Sequence, residues 1–178
     1  MTRPAVRDGY VAFGVEGYYA RHRTDYQNPH EPQVHGAIAL AVEAFALPIE
    51  PALDLACGSG EATRALEALG ATRIEGVDPF TGPAYAARTG RPAEAHDFAA
   101  IAAGALAGRR YGLIVCSFAL HLCPPSRLPG LTWALSRLAP RLLVLSPHKR
   151  PEVGVGWRPL GELVHARVRA RAYAAEGG

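Results

Sequence analysis

The stretch Pro51–Thr63, PALDLACGSGEAT, constrains the fold more than any other part of this chain. It predicts a buried strand at residues 52–55, a turn of small residues, and a helix that begins at Glu61. Gly58 and Gly60 in the turn let backbone N–H groups approach a ligand closely, and the helix N-terminus adds partial positive charge. A strand, a Gly-rich turn and a helix in this order are typical of a nucleotide-type ligand site.

The residues around the two glycines narrow the choice of ligand. The dinucleotide fingerprint has Gly or Ala at the position that Thr63 occupies here, which disfavours NAD. An ordinary tight turn is the simpler alternative. The pattern Asp54-x-Ala56-Cys57-Gly58-Ser59-Gly60 instead resembles motif I of the class I S-adenosylmethionine (SAM)-dependent methyltransferases.

Asp78 follows a second predicted strand, residues 72–77, and lies 18 residues after Gly60. That separation is close to the ~20 residues at which a carboxylate reaches the hydroxyls of a bound ribose. A carboxylate can accept a hydrogen bond from each hydroxyl of the diol. The alternative is a turn or N-cap aspartate before Pro79, but the preceding Gly-rich turn favours ribose binding.

Two further positions follow predicted strands. The segment GRPAEAHDFAAI contains Asp97-Phe98 at the point where a third strand should end, and there the methyltransferase resemblance implies contact with adenine. The alternative is that Asp97 caps the helix predicted from Phe98 to Leu106; adenine contact is favoured, and both roles can hold at once. The apolar run 111–120, YGLIVCSFAL, predicts a central strand that leads into His121, and residues 117–122 resemble the fourth motif of the same family. Gly112 departs from the family, which often has an aspartate there.

Strand and helix patterns alternate five times, which predicts an α/β fold with a doubly wound, mostly parallel sheet. The resemblance implies the Rossmann-like methyltransferase fold, shortened at its C-terminal strands. Residues 33–178 form the predicted methyltransferase domain, with one antiparallel strand at 163–173 after strand five. Residues 1–32 form an aromatic N-terminal arm, either a lid over the ligand or an irregular segment packed on the surface. In the tail, Arg167, Arg169 and Arg171 alternate with apolar residues, which favours a solvated edge strand over an RNA-binding face.

The resemblance implies SAM as cofactor and S-adenosyl-L-homocysteine (SAH) as product. The backbone of the Gly-rich turn would contact the methionine part of SAM, with Asp54 complementing its ammonium group. His121 is the candidate general base, because histidine titrates near neutral pH. No metal site is expected, since the spacing of His22, His30 and His35 fits no known ligand pattern. The expected cofactor contacts are Tyr19, Asp54, Ala56, Cys57, Gly58, Gly60, Asp78, Pro79, Asp97, Phe98, Ser117, Phe118 and Ala119.

Composition sets broader limits. The chain has 178 residues, enough for one domain, and a net charge of +3, which by itself does not indicate a nucleic-acid partner. Its three cysteines are odd in number and form no CxxC pair, which favours reduced thiols. No stretch predicts a membrane span, and residues 1–14 lack the apolar run of a signal peptide, so a cytoplasmic protein is expected.

These observations predict a SAM-dependent methyltransferase. A compact domain without an appended RNA-binding module favours a small-molecule acceptor, while RNA and protein acceptors remain open. A non-catalytic SAM-fold binding or scaffold protein is the alternative of a different class, motivated by the short chain and the lack of a clear base. A nicotinamide-dependent oxidoreductase is a third hypothesis, which Thr63 disfavours. The sequence leaves the oligomeric state open.

Overall fold

A computed structural model describes residues 29–177 and shows a seven-stranded sheet in the order β3-β2-β1-β4-β5-β7-β6. Strands β1 to β5 are parallel, and β7 runs antiparallel between β5 and β6. The predicted α/β class and the mostly parallel sheet are confirmed. The elements are α1 (Glu31–Ala44), β1 (Ala52–Leu55), α2 (Glu61–Ala68), β2 (Ile74–Val77), α3 (Gly82–Thr89), β3 (Ala93–Glu94), α4 (Phe98–Ala102), β4 (Leu113–Ser117), α5 (Leu128–Ser136), β5 (Arg141–Ser146), β6 (Trp157–His165) and β7 (Val168–Ala175).

The sheet is covered on both faces, which explains the apolar composition of its central strands. Every residue of β1 is buried, and so are the first four residues of β4. Val34 and Ile38 of α1 and Leu66 of α2 belong to the core on one face. The other core contains residues of α4 and α5. Parallel strands that are buried on both sides are continuous apolar runs rather than alternating ones, and this is what the sequence shows.

The strand order reverses between β1 and β4. Strand β1 pairs with β2 on one side and with β4 on the other, so the connections that follow β1 and β4 leave the sheet toward opposite sides. In open α/β sheets, ligands bind in the crevice at such a point, beyond the carboxyl ends of the strands. The topology therefore predicts a ligand-binding crevice beside the Gly-rich turn.

The C-terminal strands correct one prediction. The tail is not shortened to a single strand at 163–173: β6 and β7 form a hairpin with the two-residue turn Ala166–Arg167, and the sheet has seven strands. Both turn residues have positive φ, 46° and 71°. The sequence does not predict this turn, because neither residue is the Gly or Asn that such turns usually contain.

The hairpin also corrects the predicted faces of the tail. His165 pairs with Val168, and Val164 pairs with Arg169, so the alternation changes face at the turn and Val164 does not share a face with Val168. Arg171 is buried rather than solvated: it is 6% exposed and donates from Nη1 to the carbonyls of Lys149 and Pro151, both at 2.7 Å. The tail arginines therefore do not form one solvated face.

Strand β4 is shorter than predicted. It ends at Ser117 rather than at residue 120, because the backbone turns at Phe118, whose φ is 57°, and enters a short 3₁₀ helix, Leu120–Leu122. This turn lifts residues 118 and 119 above the sheet edge. The predicted end of that strand is thus part of the binding crevice.

Helix α1 lies against the β6–β7 hairpin. A Cβ on Gly36 would be 2.4 Å from the His165 ring, and one on Gly161 would be 2.6 Å from the Phe45 ring, so the helix and hairpin approach closely at both glycines. This contact brings the start of α1 near the hairpin turn. The helix begins at Glu31, two residues before the predicted start of the domain. Within residues 29–177, no helix is long and apolar enough to cross a membrane.

Candidate functional site

Backbone hydrogen bonds hold the Gly-rich turn between β1 and α2 in place. The Cys57 N–H donates to the Val77 carbonyl at 3.0 Å, and the Gly60 N–H donates to the Cys57 carbonyl at 2.8 Å. Ala56, Gly58 and Gly60 all have positive φ, 55°, 56° and 90°. At Gly60 a side chain is also excluded by space, because a Cβ would lie 2.4 Å from the Thr89 methyl group. Positive φ is unstrained for the two glycines but strained for Ala56, and such strain is common at ligand sites.

Asp54 is buried beneath this turn and bonds to the helix that follows. Its Oδ2 accepts hydrogen bonds from the Thr63 N–H at 3.0 Å and the Thr63 hydroxyl at 2.8 Å. Desolvation raises the pKa of Asp54 to about 8, against the lowering effect of Thr63. Thr63 also contacts the Tyr85 hydroxyl at 2.9 Å. The residue that departs from the dinucleotide fingerprint is therefore the one that holds the carboxyl group of β1.

Asp78 is nearly buried at the end of β2 and accepts backbone hydrogen bonds. Its Oδ1 accepts from Phe80 N at 2.8 Å and Thr81 N at 3.0 Å, which is the turn role weighed as an alternative. Its Oδ2 accepts one longer bond, 3.2 Å, from the Gly58 N–H. One carboxylate oxygen thus fixes the turn, while the other faces the Gly-rich turn with bonding capacity to spare.

Asp97 and Phe98 follow β3 and begin α4. The Asp97 carboxylate accepts from the Ala100 N–H at 2.7 Å and caps the helix, which is the alternative role, and the adenine contact stays a prediction. The predicted helix is shorter than expected and ends at Ala102. The Phe98 ring is half-buried and lines the space above the sheet.

The end of β4 contributes Ser117, Phe118 and Ala119. The Ser117 hydroxyl oxygen is buried and has no hydrogen-bond partner within residues 29–177. Buried hydroxyl groups are nearly always paired in folded proteins, so an unpartnered one beside a cavity indicates a ligand or water that completes its bonding.

These segments line one cavity of about 280 Å³ beyond the carboxyl ends of β1, β2, β3 and β4. Of the thirteen predicted cofactor contacts, Gly60 does not line it, and Tyr19 lies outside the described residues, as does most of the predicted N-terminal arm. The cavity brings together the remaining predicted positions, which are Asp54, Ala56, Cys57, Gly58, Asp78, Pro79, Asp97, Phe98, Ser117, Phe118 and Ala119.

The cavity also has lining residues that sequence reasoning missed, among them Glu61, Phe80 and His96. Glu61 is buried at the start of α2 and bonds to the Ser59 hydroxyl. His96 lies 3.2 Å from the Glu94 carboxylate. These three residues could have been predicted from the sequence, because they lie directly beside Gly60, Pro79 and Asp97, and neighbours of a ligand-binding turn commonly reach the same space.

An ion-pair network supports the turn from behind. Arg88 donates to both Glu31 carboxylate oxygens at 2.7 and 2.8 Å and to the Ser59 hydroxyl at 2.9 Å. Glu31 also accepts from Arg64 at 2.6 Å. This bidentate pair is mostly buried and links the start of α1 to the Gly-rich turn and to α2.

His121, the predicted base, does not line the cavity. It lies exposed in the 3₁₀ helix after β4, with its ring centroid 6.3 Å from that of His148, which follows β5. Partial desolvation and the neighbouring His148 lower the pKa of His121, which favours the neutral imidazole. The two histidines mark the β4–β5 side of the crevice.

Solved structures share this architecture. A magnesium protoporphyrin IX methyltransferase from Synechocystis PCC 6803, with bound SAM, is 19% identical and covers 98% of this chain and 100% of its own, with a TM-score of 0.62. A putative RNA methyltransferase from Pyrococcus horikoshii is 12% identical over 100% of this chain and 98% of its own, with a TM-score of 0.64. The fold is that of the class I methyltransferases.

Sequence comparison adds a family. A protein of Schizosaccharomyces pombe described as uncharacterized is 32% identical over 195 aligned positions, which cover 86% of this chain and 78% of that protein. The chain belongs to the same family as this yeast protein. No protein-family model matches it.

Proposed function

We propose that this protein is a SAM-dependent methyltransferase that acts on a small-molecule acceptor and releases SAH. The observation that carries the proposal is the cavity above the switch point of the sheet, which gathers residues from the ends of four strands. Two groups there support a bound cofactor: the unpartnered Ser117 hydroxyl and the Asp78 Oδ2, whose bond to Gly58 is long.

Each part of the cavity suits one part of SAM. Asp78 would accept hydrogen bonds from the ribose diol through Oδ2, and Asp97 and Phe98 would border the adenine. The turn at Ala56 and Gly58 and the Ser117 hydroxyl would lie along the amino-acid end. Asp54 would face the ammonium group, whose charge favours the ionised carboxylate and lowers the pKa of Asp54 from about 8.

When bound, SAM supplies a methyl group on a positively charged sulfur. The protein then has to align donor and acceptor and exclude water, which its buried turn and apolar walls support. An acceptor that arrives protonated needs a base. His121 and His148 are the proposed bases on the β4–β5 side, since the His121 pKa is lowered and a neutral imidazole can accept a proton.

The preference for a small acceptor rests on a cleft of ligand size beside the cofactor cavity; Phe118 lines both spaces. A cytoplasmic location is part of the proposal, supported by the unpaired, buried thiols of Cys57, Cys116 and Cys123.

The first test is thermal unfolding with SAM or SAH. At a hundredfold excess over the dissociation constant, binding stabilises the folded state by about 2.7 kcal/mol. We expect Asp78→Ala to lose this shift and Asp78→Asn, which keeps the Oδ1 acceptor for the turn, to retain the fold. An unshifted transition with both ligands would refute the proposal.

The second test uses methyl-labelled SAM with fractionated cell lysate. Label in a small-molecule fraction supports the proposal, and label in RNA or protein assigns a different acceptor. SAM binding without transfer to any fraction would instead favour a non-catalytic SAM-fold protein.

A further inference from the structure

A second cleft lies beside the cofactor cavity, between the start of α1 and the hairpin turn. It has a volume of about 460 Å³, within the range of small-molecule sites, and Phe118 lines both spaces. Its other walls include His30, Gln33, Pro147 and Arg167. A molecule in this cleft would contact the same ring as a molecule in the cofactor cavity.

The walls of the cleft are flat and mostly apolar. The His30 and Phe118 rings are stacked, with centroids 5.6 Å apart and planes inclined by 19°. Phe118 adopts a left-handed backbone conformation, φ 57°, which is uncommon for an aromatic residue, and it lies at the border of the two spaces. Pro147 and Val168 add apolar surface. Such walls favour a planar ligand body.

Gln33 places an unsatisfied acceptor in this cleft. Its side-chain oxygen Oε1 is buried and has no hydrogen-bond partner within residues 29–177. Leaving a buried amide oxygen unpaired costs free energy, so a ligand N–H or O–H that reaches it is favoured.

Arg167 adds a cation that no carboxylate of residues 29–177 neutralises by an ion pair, whereas its neighbour Arg169 pairs with Glu162 at 2.6 Å. It occupies the hairpin turn at φ 71°, a conformation in which an L-residue is strained and glycine is favoured. An arginine at the edge of a cleft, without an ion-pair partner within residues 29–177, suits recognition of an anionic group.

We infer that this cleft binds the methyl acceptor, and that the acceptor is a planar small molecule with a hydrogen-bond donor for Gln33 and a carboxylate or other anionic group for Arg167. This inference rests on the proposed function. It adds the substrate class and assigns specificity to two residues outside the cofactor cavity.

The test uses the three isomers of hydroxybenzoate, which place a hydroxyl donor at three separations from a carboxylate. Each is titrated into protein saturated with SAH, so that failure of SAH binding is detected first and counts against the proposed function instead. A ligand of about ten non-hydrogen atoms at about 0.3 kcal/mol per atom binds with a dissociation constant near 10 mM or below. We expect at least one isomer to bind in this range.

Ligand and protein changes are then paired. Gln33→Leu should lose a preference of about tenfold for that isomer over benzoate, which lacks the hydroxyl. Arg167→Ala should lose a preference of about fivefold for it over its uncharged methyl ester, a modest factor because Arg167 is exposed. Arg158→Ala is the matched control: it removes an exposed arginine at the far end of β6 and should change neither preference.

All variants should keep the SAH-induced stabilisation, which shows that they are folded. Binding by none of the isomers, or unchanged preferences in both cleft variants, would overturn the inference. So would transfer of label to RNA that is equally efficient in Arg167→Ala and Arg158→Ala.

Discussion

The two spaces at the carboxyl end of the sheet differ in how their polar groups are held. In the cofactor cavity, the three aspartates each bond to backbone N–H groups nearby in sequence: Asp54 to Thr63, Asp78 to Phe80, and Asp97 to Ala100. In the neighbouring cleft, Gln33 Oε1 has no partner, and Arg167 forms no ion pair within residues 29–177.

The difference indicates how each space is built. The cofactor cavity is assembled by strand–turn–helix units that position their own side chains, so it is preorganised before any ligand arrives. The cleft is assembled where α1 meets the hairpin, and Gln33 and Arg167 in it lack polar partners within residues 29–177. The cavity is therefore built from contacts that are local in sequence, whereas the cleft depends on long-range packing. The following variants would break or sharpen this comparison.

The largest expected effect concerns Asp54. Its pKa is raised from 3.8 to about 8 in the folded protein, so the folded state holds a proton that the unfolded chain releases. The contribution of Asp54 to the free energy of unfolding is therefore greatest below about pH 4. It falls as the pH rises to about 8, by at most about 1.4 kcal/mol per pH unit. Asp54→Asn should remove this slope. Urea unfolding of both proteins across this pH interval measures it, and parallel profiles would contradict the burial argument.

Gly60→Ala tests the turn itself. The substitution places a Cβ against Thr89 at a residue with φ 90°, and we expect a loss of about 3 kcal/mol of unfolding free energy, from strain and overpacking together. Gly70→Ala is the control, because its φ is 101° but nothing lies within 4 Å of the added Cβ, and about 1 kcal/mol is expected. Chemical denaturation compares the two. Equal losses would show that space at Gly60 is not the constraint.

Thr63→Val tests the support of the β1 carboxyl group. The change keeps the shape but removes the hydroxyl that bonds Asp54 at 2.8 Å and contacts Tyr85 at 2.9 Å, and we expect a loss of about 2 kcal/mol. Tyr85→Phe removes only the second contact, and about 1 kcal/mol is expected. Denaturation midpoints give both values, and a larger effect for Tyr85→Phe would reverse the assignment.

The smallest effect is expected on the acceptor side, and it has the opposite sign. Replacing the turn by Ala166→Asn with Arg167→Gly supplies residues that tolerate positive φ, and we expect a gain of about 1 kcal/mol. The same double variant should lose the preference for anionic hydroxybenzoates. If the double variant is more stable but keeps the preference for anionic hydroxybenzoates, Arg167 does not bind the ligand.

The cofactor side was largely predictable because its signals are short. Gly58, Asp78 and Phe98 each follow a strand in sequence, and the parallel topology then brings strand ends to one edge. The prediction failed where the chain breaks a local rule. Ala166–Arg167 forms a hairpin turn without the usual residues. The prediction therefore treated the tail as one alternating strand, although its apolar and polar faces exchange at this turn.

The sequence by itself determined the mostly parallel α/β fold, the Gly-rich turn and the carboxylates that follow its strands, because each of these depends on residues within one strand–turn–helix unit. Only the tertiary structure decided that Tyr85 contacts Thr63, that Arg88 connects Glu31 to the turn, and that Gln33 and Arg167 border one cleft. The physical reason is that these contacts join separate elements, and their partners are selected by how helices and strands pack rather than by spacing along the chain.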